Sequence, residues 1–300
     1  MNISRLTPQL KRYKYIYLLF LPAFLFAFAF CYMPIYGIQI AFRDYNFYDG
    51  FLGSKFVGFK YFIRMFNEST FLVVMRNTVV ISFLKIVIVF PSGILFAIML
   101  NEITQKSAKR VYQTISYLPH FLSWIVLAGL IREFTALDGP INMVVEFFGG
   151  TPQLILTKGV LFINTLIISD LWYAVGWNSI IYLAAITGIS KELYESADID
   201  GAGRLRKVIS ITIPSILPVI FIMFILRLGQ VMNAGFDQIL NLYNPLVYDV
   251  ADIIDTYVYR IGLMNMNFSY STAIGLFKNL IGLALVLTTN TLSKKMEGAI

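Results

Sequence analysis

The sequence predicts an all-α, polytopic membrane protein with six membrane-spanning helices. Three observations lead there. Of 300 residues, 58% are hydrophobic and only 14% charged, with a mean hydropathy of +0.71; a soluble domain is typically about 45–50% apolar and about 25% charged. Six predominantly apolar runs reach the length of about 20 residues that a helix needs to cross the hydrocarbon core. Lys and Arg are unequally divided between the two sets of loops that separate those runs.

The runs are Tyr15–Phe42, Asn77–Leu100, Val111–Ile131, Val160–Thr187, Pro214–Phe236 and Thr272–Leu292. The first carries no charge and exceeds the apolar core of a secretory signal, about 7–15 residues. Bulky Phe30 before the lone Cys31 also makes it a poor lipoprotein signal, so it is read as a retained span. Six spans put both termini on one side. That side holds Arg5, Lys11, Arg12 and Lys14, then Lys106, Lys109 and Arg110, then Lys191, Arg204, Arg206 and Lys207, then Lys294 and Lys295. These thirteen cations face eight in the other loops: Arg43, Lys55, Lys60, Arg64, Arg76, Arg132, Lys158 and Arg260. Positive residues stay inside. Both termini are therefore expected in the cytoplasm, and loops one, three and five outside. The net charge of +7 is explained by this topology, without nucleic acid as a partner. A single domain over residues 1–300 is expected.

Four charges fall inside the spans: Lys85, Asp170, Arg227 and Lys278. A charge facing lipid costs about 2.5–3.5 kcal/mol on an insertion scale, so these should face the interior, a partner or water. All four are placed in the outer half of the membrane, roughly 9–15 Å from the external face at 1.5 Å per residue. In span four, Asp170, Tyr173, Ala174 and Trp177 follow the i, i+3, i+4, i+7 pattern of one helix stripe, with Asn178 beside it. A carboxylate, an amide and flat rings suit a sugar, whose hydroxyls take hydrogen bonds while its ring faces stack. Polar glue between helices is the alternative. Arg227, Gln230 and Asn233 step along span five and are expected to border the same space, with Lys85. Gly275 and Gly282 bracket Lys278 and read as close helix packing. Three cations to one anion would favour anionic solutes, if all four face one cavity. His120 follows Pro119 in span three, without a carboxylate in its own span, and reads as structural. Loop five, rich in Tyr and net negative, is left between folding over the bundle and meeting an external protein.

The loop between spans four and five, residues 188–213, breaks the apolar pattern. KELYESADID, from Lys191 to Asp200, is a good helix former with Ile189, Leu193 and Ala197 in one stripe. Gly201 and Gly203 allow a sharp turn. Leu205, Val208, Ile209 and Thr212 form a second stripe opposite Arg206, Lys207 and Ser210, and Pro214 suits the first turn of the next span. The expected product is a stiff cytoplasmic knuckle with a small-residue tip.

ESADIDGAGRLRKVISITIP, from Glu195 to Pro214, resembles the EAA loop of ABC-importer permeases, E-A-A-x-x-D-G-A-G followed by a spacer and I-T-L-P. Glu195, Ala197, Asp200, Gly201, Ala202, Gly203, Ile211, Thr212, Ile213 and Pro214 match without insertion. Ser196 stands where Ala is usual, and Ile213 where Leu is usual. The N-terminal run YIYLLFLPAFLFAFAFCYMPIYGIQIAFRDYN, the segment FVGFKYFIRMF and the C-terminal ADIIDTYVYRIGLMNMNFSYSTAIGLFKNLIGLALVLTTN are similar to the oligosaccharide-importing branch, and the last to its subgroup for polysaccharide-derived oligosaccharides.

The resemblance implies a type I ABC-importer permease fold in a bacterial plasma membrane. It implies that Glu195, Ala197 and Asp200–Gly203 dock into a cytoplasmic ABC ATPase dimer. It also implies a second homologous permease subunit and an extracellular solute-binding lipoprotein that delivers the oligosaccharide. The residues agree on the need for a partner: there is no GxxxxGK[ST] phosphate loop. One Cys and one His exclude a disulfide framework or a Cys/His metal site, and no HExxH or G-x-S-x-G is present. No enzymatic activity, metal or cofactor is expected. The competing reading is a self-sufficient secondary transporter or channel subunit, which also uses intramembrane charge and broken helices.

Overall fold

The computed structural model describes residues 12–297, and their side chains except those of 290 and 292–297. Arg5 and Lys11, and the side chains of Lys294 and Lys295, lie outside the described residues. Helices dominate: α1 Lys14–Phe42, α2 Lys60–Asn67, α3 Ser69–Glu102, α4 Lys106–Tyr117, α5 Trp124–Thr135, α6 Pro140–Phe147, α7 Gly159–Thr187, α8 Lys191–Ile199, α9 Arg204–Gly229, α10 Phe236–Leu242, α11 Ile254–Tyr259 and α12 Phe268–Glu297. Among the described residues the strands are β1 Arg43–Asp44 and β2 Lys55–Phe56, paired antiparallel. Among the described residues five helices are long and apolar enough to cross a membrane, and a bent pair makes a sixth candidate.

The chain divides into two compact units. One comprises residues 1–67 with 261–276. Its hairpin is tied by Asp44, which accepts hydrogen bonds from the Tyr61 hydroxyl at 2.5 Å and the Lys60 ammonium at 3.2 Å. Arg43 donates to the carbonyls of Leu52 and Ser54, at 3.2 and 2.9 Å, and the Tyr45 N–H donates to Ser269 Oγ at 2.9 Å. The Arg64 guanidinium lies 4.3 Å from the centre of the Tyr270 ring. α2 buries Tyr61 and Met65 and exposes Phe59, Ile63 and Phe66 from one stripe around its start and length.

The second unit comprises residues 68–260 with 277–300. Its centre is α3 packed along α7. Two apolar cores occupy opposite ends of this pair. One joins Ile81, Phe162, Leu166, Ile131 and Ile239; the other joins Ala97, Leu100, Tyr182, Leu183 and Ile216. Lys85 and Asp170 fall between them along the sequence of each helix. Close backbone approach needs glycine twice. A Cβ on Gly93 would lie 2.8 Å from Asn178 Cβ, and one on Gly176 would lie 2.2 Å from the Ser116 carbonyl oxygen.

Three spans differ clearly from the expected bounds. The second begins at Ser69 rather than Asn77. The third, expected as one helix over Val111–Ile131, is broken: Lys106–Phe121 and Trp124–Phe147 diverge by 104°. Pro119 removes a helical donor, Leu122 and Ser123 are extended, and Ser123 Oγ accepts from the Val126 N–H at 3.4 Å, starting a new helix. The fifth begins earlier than expected, at Arg204, and ends at Gly229 rather than Phe236. Residues 230–235 are non-helical, and Gly235, at φ 102°, turns the chain into α10.

Loop five folds onto its own unit. Val247, Ala251, Ile253, Ile254 and Tyr257 are buried. Asn77 donates to the carbonyls of Tyr248, Asp249 and Asp252 at 3.4, 3.1 and 3.1 Å. Thr78 Oγ1 accepts from the Ile254 N–H at 2.9 Å, and Arg260 pairs with buried Asp252. Burial, chiefly, pushes the Tyr243 phenol up to about 12.

Gly176→Ala should force α4 away from α7 and lower stability by about 1–3 kcal/mol, as overpacking does. Gly129→Ala, with nothing within 4 Å of its Cβ position, should be neutral; thermal unfolding of the purified protein in nanodiscs separates the two. The Tyr61 hydroxyl and the Lys60 ammonium hold the Asp44 carboxyl below the usual carboxylate range. The hairpin therefore gains stability above the ordinary carboxylate pKa of about 3.9, and loses it as pH falls through the depressed value. Hydrogen exchange at Tyr45 and Asn46 should show that acid loosening in the wild type and not in Asp44→Asn.

Candidate functional site

Two features stand out, the knuckle between α7 and α9 and a polar layer beside α3. In the knuckle, Ser190 Oγ accepts from the Glu192 N–H at 3.3 Å and starts α8. The helix ends in a paired closure: the Ala202 N–H reaches the Ala197 carbonyl at 2.8 Å, and the Gly201 N–H reaches that of Asp198 at 3.1 Å. This is the Schellman pattern, which requires a left-handed residue at the turn; Gly201 supplies it at φ 74°. Gly203 then starts α9 from extended backbone. Two ties cross the turn. Lys207 pairs with Asp198 at 2.6 Å, and the Tyr194 and Thr212 hydroxyls lie 2.9 Å apart.

Glu195, Asp200, Gly201 and Gly203 are exposed, and Ala197 and Ala202 are half-buried. The two expected stripes are only partly used within the chain. Thr212 is buried and Ile189, Ala197 and Val208 are half-buried, while Leu193, Leu205 and Ile209 remain 50%, 73% and 57% exposed; Ile199, outside both stripes, is 87% exposed. Clustered exposed apolar side chains of this kind mark an interaction surface.

The polar layer is built by α3, α7, α9 and the segment after α9. Lys85 is 3% exposed; its ammonium lies 2.5 Å from Gln238 Oε1 and 3.4 Å from Asp170. Gln238 also donates to the Leu166 carbonyl at 2.8 Å and to Ser169 Oγ at 2.9 Å. Lys278 is 9% exposed; its ammonium lies 2.5 Å from Asn233 Oδ1 and 2.6 Å from Asp255. Beside this layer is a cavity of about 260 Å³, lined by Val89, Phe90, Asn178, Tyr182, Arg227 and Gln230 among others. A smaller cleft involves Lys85, Arg227, Gln230 and Asn233.

Asn178, Arg227 and Gln230 thus meet in the cavity, with Lys85 and Asn233 in the adjoining cleft. Asp170 is occupied by Lys85. Tyr173 and Trp177 turn to the broken span: His120 stacks on Trp177 at 4.3 Å and lies 4.7 Å from Tyr173. Neither aromatic is among the residues lining the two spaces. His120 Nδ1 is buried without a hydrogen-bond partner. The three-to-one interior charge count changes too. Asp255 answers Lys278 and Asp170 answers Lys85, and among the described residues Arg227 forms no ion pair. Gln238, Asp255, Tyr194 and the Asp198–Lys207 pair went unrecognised in the sequence. Only the last carried a signal, opposite charges either side of a Gly turn.

A polytopic helical fold with a Gly-hinged knuckle between two spans fits the membrane subunit of a transporter. The chain belongs to the family of binding-protein-dependent transport system inner membrane components, matched over residues 89–298, and is a permease subunit of an ABC importer rather than an enzyme. It is 44% identical to the polygalacturonan/rhamnogalacturonan transport system permease protein YteP of Bacillus subtilis (strain 168), over 97% of this chain and 91% of that protein. It is 39% identical to protein LplB of the same organism, over 96% and 91%. It also superposes on a chain of a bacterial ABC transporter involved in the import of the acidic polysaccharide alginate, with TM-score 0.91 and 36% identity, covering 97% and 99%. That transporter complexed with an alginate pentasaccharide-bound periplasmic protein gives a TM-score of 0.90 at 36% identity, covering 97% and 98%.

A Cβ on Gly235 would lie 2.4 Å from Lys85 Nζ, at a φ that side chains rarely adopt. Gly235→Ala should therefore lower the unfolding temperature more than Gly201→Ala, which pays only the left-handed backbone cost of about 1–2 kcal/mol with open space around its Cβ position.

Proposed function

We propose that this chain forms half of the translocation path for an acidic oligosaccharide released from a polysaccharide, such as an oligogalacturonide. A second, homologous permease would supply the other half, a cytoplasmic ATPase dimer the energy, and an extracellular solute-binding protein the cargo. In this reading the termini and the knuckle lie in the cytoplasm, which the Lys/Arg distribution supports. The observation that carries the substrate class is Arg227. It borders the cavity with Asn178 and Gln230, and among the described residues it forms no ion pair with a carboxylate. A guanidinium takes a carboxylate as a two-point partner, and the two amides suit hydroxyls. The names of the similar proteins, for polygalacturonan/rhamnogalacturonan and for alginate, point to the same solutes.

The knuckle is the input of motion. Glu195, Asp200, Gly201 and Gly203 are exposed where a partner can seat, and the apolar Leu193, Ile199 and Leu205 give it area. In reconstituted importer, Arg227→Gln should lower uptake of a uronate oligosaccharide at least tenfold while changing uptake of a neutral oligosaccharide of equal length much less. Equal losses for both would refute the role of Arg227. Uptake of neutral sugar only, by the wild type, would refute the substrate class.

A further inference from the structure

The two buried lysines share a pattern. Each ammonium holds one amide and one carboxylate. Asn233 lies in the break that follows α9 and Gln238 beside it on α10, where its amide N–H groups also hold Leu166 and Ser169 of α7. The carboxylates, Asp170 and Asp255, lie elsewhere: Asp170 on α7, and Asp255 on α11, which is fastened to α3 through Thr78 and Asn77. Losing an amide would therefore leave each lysine with its counter-ion rather than as a bare buried charge, the costly state in an apolar interior. The break itself has the backbone for movement, since Gly235 turns the chain at φ 102° against Lys85.

The break also has a defined place. Along α3, Lys85 is four residues, about 6 Å, closer to the Ser69 end than Val89 of the cavity lining. Along α7, Asp170 is eight residues, about 12 Å, closer to the Gly159 end than Asn178. The lysine-held segment thus lies toward the helix ends that the proposed orientation puts outside.

We propose that Lys85 and Lys278 are latches. Through Gln238 and Asn233 they hold residues 230–238 across the outer end of the cavity, and solute enters when the two amides let go while Asp170 and Asp255 keep the ammonium groups. The lysines are positioning residues here, acting on the segment rather than on the solute. The proposal rests on the orientation given above for which side is outer, and on no particular sugar.

The test uses the assembled importer in proteoliposomes, with Cys31→Ser and a reporter Val89→Cys, in the absence of nucleotide and sugar. A membrane-impermeant thiol reagent is added from the outer side only. Gln238→Met or Asn233→Ala should raise the labelling rate at least tenfold over the parent. Asn233→Asp, which gives Lys278 a second carboxylate, should lower it below the parent. Such opposite shifts are not expected of a merely structural role, which would alter the yield of assembled transporter without reversing the sign. Unchanged labelling in assembled Gln238→Met and Asn233→Ala, or a rise in Asn233→Asp, overturns the latches. If one amide variant does not assemble, the other and Asn233→Asp decide. Labelling shifts as described in an importer that takes up no uronate would retain the latches and remove only the substrate class.

Discussion

The Lys85 ammonium sits among apolar helices with 3% of its residue surface exposed, and the membrane layer of this chain is organised by what that charge demands. A cation there needs oxygen atoms at hydrogen-bond distance, because hydrocarbon offers none. One partner comes from α7 as Asp170, the other from Gln238 of a helix that is not part of any regular span. To deliver Gln238, the chain must stop α9 at Gly229, turn at Gly235 and restart as α10. Lys278 makes the same demand from α12 and is answered by Asn233 and Asp255. Met232 and Ala234 of the irregular backbone are buried, while Gln230 and Asn233 are exposed beside the cavity and its cleft; at membrane depth such backbone is tolerated where it is buried in protein or lines a cavity. The cavity beside it lies between α3, α7 and the last turns of α9, with Gln230 of the break at its edge.

One helix joins this layer to the knuckle. α9 has 26 residues, about 39 Å at 1.5 Å per residue, with Arg204 at its knuckle end and Arg227 near its other end. The Asp198–Lys207 pair and the Tyr194–Thr212 contact fix α8 to the first turns of α9. Through these two ties a push on α8 would reach the first turns of α9. Arg227 and the break at its end are the parts such a tilt would displace most. In the proposed coupling, a partner's ATP hydrolysis would reach the cavity beside Arg227 along this helix.

Much of this was readable in the amino acids, and the failures have physical causes. The span count and the knuckle rest on local pattern, and local pattern survives folding. The interior charges announce themselves, since a lysine in an apolar run has to be explained. Their partners do not. Gln238 and Asp255 stand in a stretch that looks like any external loop, and only the chain's return toward α3 and α12 makes them interior. Counting cations within spans therefore overstated the positive charge. The stripe of Tyr173 and Trp177 was real, but its neighbour is His120, brought there by a break in span three that Pro119 and Ser123 cause together. A proline alone does not announce such a break, since Pro218 lies inside the continuous α9.

The central claim is that α8 and α9 move as one stiff piece and that the strain is taken up at residues 230–235. Electron–electron distance measurements on two spin-labelled pairs in the assembled importer test it directly. One pair, at Ile199 and Ser210, spans the knuckle; the other, at Leu226 and Asn241, spans the break. Between the nucleotide-free and ATP-bound states, the knuckle distance should stay fixed while the distance across the break changes. A changing knuckle distance with an unchanged break would contradict the account.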